Sequence, residues 1–213
     1  MRARVRLLFM VASLLAASHA VAGGWYLKAF LGANDIDDVQ FAIDTGVIDT
    51  SLDTGTMWGI AFGRQFKHFR LEGEIDTTRS NDVDRHRLNG AALAGSSGDI
   101  ESEAGIINIL FDFRREARIV PYVGVGVGVA EVELNDFGVN AIPDVVSDED
   151  NLLAYQLLGG VGVPLNDRWI LDFDVRYYWT DDAEISTSPT TGALQNEVEY
   201  EAVGVTAGFR YDF

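Results

Sequence analysis

Apolar and polar positions alternate with a period of two along most of this chain, the period of extended backbone rather than of helix. The plainest stretch is Pro121 to Ala130. Val123, Val125, Val127 and Val129 fall on one face, and Gly124, Gly126 and Gly128 fall on the other. A helix would scatter those valines around its circumference, and β-branched residues interleaved with glycine form helix poorly. The same alternation sets Trp25, Leu27, Ala29 and Leu31 against Tyr26, Lys28 and Phe30. It sets Trp58, Ile60 and Phe62 against Gly59, Ala61 and Gly63, then Phe69, Leu71 and Ile75 against Arg70, Glu72, Glu74 and Asp76. Ile107, Ile109, Phe111 and Phe113 oppose Ile106, Asn108, Leu110 and Asp112. Tyr155, Leu157, Val161 and Val163 oppose Gln156, Gly160 and Gly162. Leu171, Phe173, Val175, Tyr177 and Trp179 oppose Asp172, Asp174, Arg176 and Tyr178. The last run opposes Val203, Val205, Ala207, Phe209, Tyr211 and Phe213 to Gly204, Thr206, Gly208, Arg210 and Asp212.

These runs predict eight strands, joined by long and short connections in strict alternation. Asn34–Thr54, Thr78–Gly98, Asn135–Asp150 and Asp181–Asn196 read as long polar loops, whereas the links at 65–68, 114–117 and 164–167 are short. An even strand number with tight turns at one end and long loops at the other marks a transmembrane barrel. A soluble eight-stranded barrel would turn its apolar face inward. Here the opposite face carries the charges and the glycines, so the apolar face must point out, toward lipid. The predicted fold class is all-β: an eight-stranded antiparallel transmembrane up-and-down barrel.

Composition sharpens that picture in a few places. Arg2, Arg4 and Arg6, the apolar run Leu7–Ala17 and the small residues Ala20-Val21-Ala22 make residues 1–22 a cleaved secretory signal, leaving 23–213 as the barrel. The net charge of −17 becomes −20 once those three arginines leave, which disfavours nucleic acid as a partner. No segment of the mature chain offers ~18 uninterrupted apolar residues, so a membrane-spanning helix is excluded. The absence of cysteine excludes a disulfide framework and a lipid-attachment thiol. The Gly124/Gly126/Gly128 run has the wrong spacing for a dinucleotide loop, and Glu131-Val132-Glu133-Leu134 continues the alternation instead of opening a helix.

The run Asn108 to Phe113, followed by Pro121-Tyr122-Val123-Gly124-Val125-Gly126, resembles the small outer-membrane β-barrel family related to the OmpA transmembrane domain. Tyr155-Gln156-Leu157 and Asp174 to Tyr178 are similar to that family's sixth and seventh strands, and Gly204–Phe213 to its C-terminal assembly signal. The resemblance implies the bacterial outer membrane as location, and the lipid bilayer and the barrel-assembly machinery as partners, with Phe209, Tyr211 and Phe213 as the signal that machinery reads. It implies no single role, since the family includes adhesins, surface antigens and structural anchors. No peptidoglycan-binding domain is expected after Phe213.

Candidate sites follow from the inward face. Lys28, Glu72, Glu74, Asp172, Asp174 and Arg176 form the expected lumen charge network, with Arg70, Arg210 and Asp212 nearer the strand ends. Charges in so narrow a lumen must be paired or wet, which predicts a packed plug in preference to an ion path. Arg79, Arg85 and Arg87, beside His86, form a basic cluster that suits lipopolysaccharide phosphates. The acids Asp144, Asp148, Glu149 and Asp150 lack the glycine-containing calcium loop and read as solvated surface. No catalytic residues, cofactor or metal are expected: Ser80 and His86 share a loop but no deacylase motif surrounds them. The function expected is a surface-interaction barrel, adhesin- or antigen-like, with a plugged lumen and an unknown extracellular ligand. A narrow ion or small-solute channel is the alternative, and a lipid-modifying enzyme a more distant one.

Overall fold

The structure is a computed structural model that describes residues 24–36, 39–43, 46–52, 54–79, 83–88, 91–92, 97–113, 117–138, 149–181, 183–186, 195–198 and 201–213. Eight strands close a barrel: β1 (Trp25–Ile36), β2 (Gly55–Gln65), β3 (Phe69–Arg79), β4 (Ser97–Asp112), β5 (Val120–Gly138), β6 (Glu149–Pro164), β7 (Trp169–Thr180) and β8 (Glu201–Asp212). Each strand pairs antiparallel with its sequence neighbours. β8 then returns to β1 in an unbroken register from Tyr26↔Asp212 to Ile36↔Ala202. The Phe213 N–H donates to the Trp25 carbonyl at 2.9 Å and extends the seam to the chain's last residue. Closure leaves no sheet edge in lipid, where unpaired backbone groups would each cost several kcal/mol.

Burial along the strands inverts that of a soluble domain. Lys28, Glu72, Glu74 and Arg176 are buried, while Leu31, Trp58, Ile60, Val125, Val205 and Phe209 are exposed. The exposed apolar positions form the belt that lipid covers. Two aromatic bands bound it. Near the short turns Trp25 stacks on Phe62, Phe111 meets Phe69 and Phe113, and Tyr211 meets Trp169 and Phe213. Toward the loops lies the Tyr155, Tyr177 and Trp179 group. Along β7 the rise from Trp169 to Trp179 is roughly 25 Å at the usual strand tilt, the height of the apolar band in such barrels.

The short turns are made by local chemistry. Phe66 N–H donates to the Phe69 carbonyl at 2.7 Å, and Leu165 N–H to the Trp169 carbonyl at 2.8 Å. The Asn166 side-chain oxygen accepts the Arg168 and Trp169 N–H groups, both at 3.0 Å, which locks the tightest connection.

The reading of long structureless loops is corrected. β5 has 19 residues and β4 and β6 have 16 each, so the wall continues well past the roughly 10 residues needed to cross. Within the connections, 39–43, 46–52, 83–88 and 91–92 form a four-stranded sheet, and 183–186 pairs with 195–198. The acidic residues scattered through these segments obscured short alternations such as Val39-Gln40-Phe41-Ala42-Ile43. The expected signal segment, most of the 114–117 turn and residues 139–148 lie outside the described residues.

Candidate functional site: the charged lumen

Every inward polar side chain must find a partner inside the barrel, because no water-facing alternative exists at mid-height. Asp174 on β7 is the most connected. Its carboxylate accepts Lys28 Nζ from β1 at 3.0 Å, Tyr122 O–H from β5 at 2.9 Å, Arg176 Nε at 2.7 Å and Thr206 O–H from β8 at 2.8 Å. Arg176 turns its other arm to Glu74 on β3, at 2.5 Å, and its guanidinium lies 4.0 Å from the centre of the Phe30 ring. Glu74 also accepts from the Gln156 and Asn108 amides, both at 3.3 Å. Asn108 in turn reaches Glu72, which accepts Tyr26 O–H at 2.9 Å.

One network therefore joins side chains of seven of the eight strands across the lumen. The exception, β2, contributes Gly59, Ala61 and Gly63. Those small residues leave room for what crosses from the other strands: the Phe30 ring lies over Gly59 and the Tyr26 ring over Gly63. Gly126 on β5 does the same for Asn108 and Gln156, and a Cβ at Gly160 would stand 2.6 Å from Tyr122 Cζ. The glycine face of the Val-Gly strand is thus a fit to its large polar neighbours.

Toward the short turns the pairing loosens. Arg70 meets Asp112 at 3.0 Å and sits 4.4 Å from the centre of the Tyr122 ring. Arg210 is 3.6 Å from Asp172 and 3.7 Å from Asp212, and the Asp172 carboxylate, fully buried, accepts no hydrogen bond among the described residues.

The structure places all six residues of the expected network, Lys28, Glu72, Glu74, Asp172, Asp174 and Arg176, inside the barrel. It brings five of them into the central network and sets Asp172 apart, beside Arg210. Tyr26, Asn108, Tyr122, Gln156 and Thr206 complete the site. They share the inward parity of the charges, which was their only signal. Phe209 and Tyr211 face out on β8, and Phe213 is exposed beyond it. Arg79 ends β3, paired with Thr56 and Glu101, while Arg85 and Arg87 share one face of the 83–88 strand opposite Ser51 and Asp49. Ser80, Asp144 and Asp148 lie outside the described residues. Among the described residues no group of three or more His, Cys, Asp or Glu side chains could hold a metal ion.

A closed antiparallel barrel with a lipid-facing apolar belt and a polar lumen is a membrane-spanning barrel of the bacterial outer membrane. The chain belongs to the outer membrane protein beta-barrel domain family, whose model matches residues 5–213. It is similar in structure to the outer membrane protein OprG from Pseudomonas aeruginosa, with a TM-score of 0.60 and 19% identity over 90% of this chain and 96% of that one. Neisserial surface protein A gives a TM-score of 0.54 at 16% identity, covering 89% of this chain and 97% of its own. The outer membrane protein AlkL gives 0.54 at 18% identity, covering 93% and 94%. At such identities these likenesses concern the fold. No curated protein matches the sequence.

Proposed function

We propose that this outer-membrane barrel serves surface interaction, adhesin- or antigen-like, with its long connections as the active surface and its lumen closed by a charge plug. The observation that carries the reading is the network from Tyr26 through Glu72, Asn108, Glu74, Arg176 and Asp174 to Lys28, which spans the lumen with buried, mutually bonded side chains. The protein then acts through what the barrel holds up. The β4–β6 wall supports this, since 19 residues of β5 rise roughly 48 Å along the axis against an apolar band of about 25 Å. The sheet of 39–43, 46–52, 83–88 and 91–92 gives the connections a built framework, and the arginines of this region, Arg79, Arg85 and Arg87, suit lipopolysaccharide phosphates by their chemistry. Phe209, Tyr211 and Phe213 serve as the signal for the barrel-assembly machinery.

The channel alternative draws on a single feature, the loose Arg210 contacts near the short turns. No catalysis is proposed. Surface proteolysis of intact cells tests the presentation of the connections. Cleavage should fall near Asp144–Asp150 and spare the Asn166-Asp167 turn, and cleavage at that turn alone would reverse the orientation.

A further inference from the structure

We propose that one anionic phospholipid is held against the outer wall of the barrel at its short-turn end, with an acyl chain in a groove along β5 and its phosphate on Lys67 and Arg118. The outward residues of β5 are valines, while the strands on either side present longer side chains at the same heights. The register sets Val123 between Phe111 and Gly159, and Val125 between Ile109 and Leu157. The result is a groove of about 430 Å³ with Val123 and Val125 as its floor and Phe69, Ile109, Phe111 and Leu157 as its walls. At Gly159 a Cβ would meet nothing within 4 Å, so no side chain closes that flank. The volume is that of a small-molecule site, and the lining suits a hydrocarbon chain.

Charge at the groove's short-turn end selects the occupant. Lys67 is exposed, two residues before Phe69 of the groove wall. Its turn packs on that wall: the His68 and Phe111 ring centres are 6.1 Å apart, and the His68 carbonyl accepts the Asp112 N–H at 2.8 Å. Arg118 is exposed in the neighbouring turn, just before β5 begins at Val120. In sequence the two turns carry Lys67, Arg114, Arg115 and Arg118 against the single acid Glu116, within a chain of net charge −17. Residues 114–116 lie outside the described ones, and the site needs only Lys67 and Arg118. An apolar groove that ends at a local excess of cations in an acidic protein fits an acyl chain with an anionic head. A second copy of the barrel, inserted in the same direction, would bring its own basic turns to the same height and meet like charge.

The leaflet on this side is the periplasmic one in the orientation proposed above, which surface proteolysis tests separately; lipid binding is measured without it. The test is native mass spectrometry of the full mature barrel released from micelles that hold equimolar phosphatidylglycerol and phosphatidylcholine with the same acyl chains. A cation beside an anionic head biases binding by roughly fivefold, so Lys67 and Arg118 together should favour one retained phosphatidylglycerol on the order of tenfold. Lys67→Gln/Arg118→Gln should bring the two lipids to parity. Val125→Phe, which fills the groove from the lipid-facing side, should lower retention of phosphatidylglycerol while gel mobility of unboiled samples shows the barrel folded. Equal retention of the two lipids by the wild type overturns the proposal and leaves ordinary belt lipid. A preference that survives Lys67→Gln/Arg118→Gln overturns it in favour of other cations, and one that survives Val125→Phe in favour of a charged rim without a groove.

Discussion

Replacing Arg176 by alanine removes the base that joins two carboxylates across the lumen, and the structure says which of them bears the loss. Asp174 keeps Lys28 at 3.0 Å, Tyr122 at 2.9 Å and Thr206 at 2.8 Å. Glu74 keeps the amides of Gln156 and Asn108, both at 3.3 Å, and a hydrogen bond with the Asp76 carboxyl, but no base among the described residues. An uncompensated buried charge of this kind costs about 3–5 kcal/mol. Losing the guanidinium over Phe30 adds about 1–2 kcal/mol. The cost therefore belongs chiefly to Glu74, and Glu74→Gln should relieve it. Urea unfolding of the refolded barrel in vesicles, run as a double-mutant cycle, measures both quantities. Arg176→Ala should lose roughly 4–7 kcal/mol, combining those two terms. The pair Arg176→Ala/Glu74→Gln should recover about 2 kcal/mol or more. A single variant that costs less than about 1 kcal/mol, or a pair that is additive, refutes the assignment of a buried ion pair.

Gly160→Val tests the fit between glycine and aromatic ring. Its Cβ would lie 2.6 Å from Tyr122 Cζ and 2.5 Å from the Phe173 carbonyl oxygen. It should therefore destabilise the barrel by about 1–3 kcal/mol, read from the same unfolding curves, and a neutral result would show that the lumen has slack there. Deleting Phe213 should lower the heat-modifiable folded form in the outer membrane and leave unfolded chain in the periplasm. Normal folding yield of the truncated chain, with a stability loss of only ~2 kcal/mol, would reduce Phe213 to one more lipid-facing residue.

Parity made the barrel legible in the sequence. Val123, Val125 and Val127 had to face lipid because their alternates were glycines, and Glu72, Glu74, Asp174 and Arg176 had to face in because their alternates were Leu71, Gly73, Ile75, Phe173, Val175 and Tyr177. Parity fixes a face and leaves the height along the axis open. Asp172 and Asp174 are indistinguishable by alternation. The stagger of the strands puts Asp174 level with Lys28, Tyr122 and Thr206, and Asp172 beside Arg210, nearer the short turns. For the same reason Asn108 and Gln156 gave no sign of bridging Glu74, which lies 34 and 82 residues away in the chain. Strand ends were misjudged where polar and acidic residues broke the alternation, as at Asn34 and Asp35 on β1 and Asn135 and Asp136 on β5. Beyond the lipid belt both faces of a strand can be polar, so the period fades while the pairing goes on.

The central claim, that the ion-paired network closes the lumen, is tested most directly by planar-bilayer recording of the refolded barrel beside Arg176→Ala. The account predicts no steady conductance from the wild-type protein, and current only when Arg176 is removed. A steady wild-type conductance that Arg176→Ala leaves unchanged would contradict it.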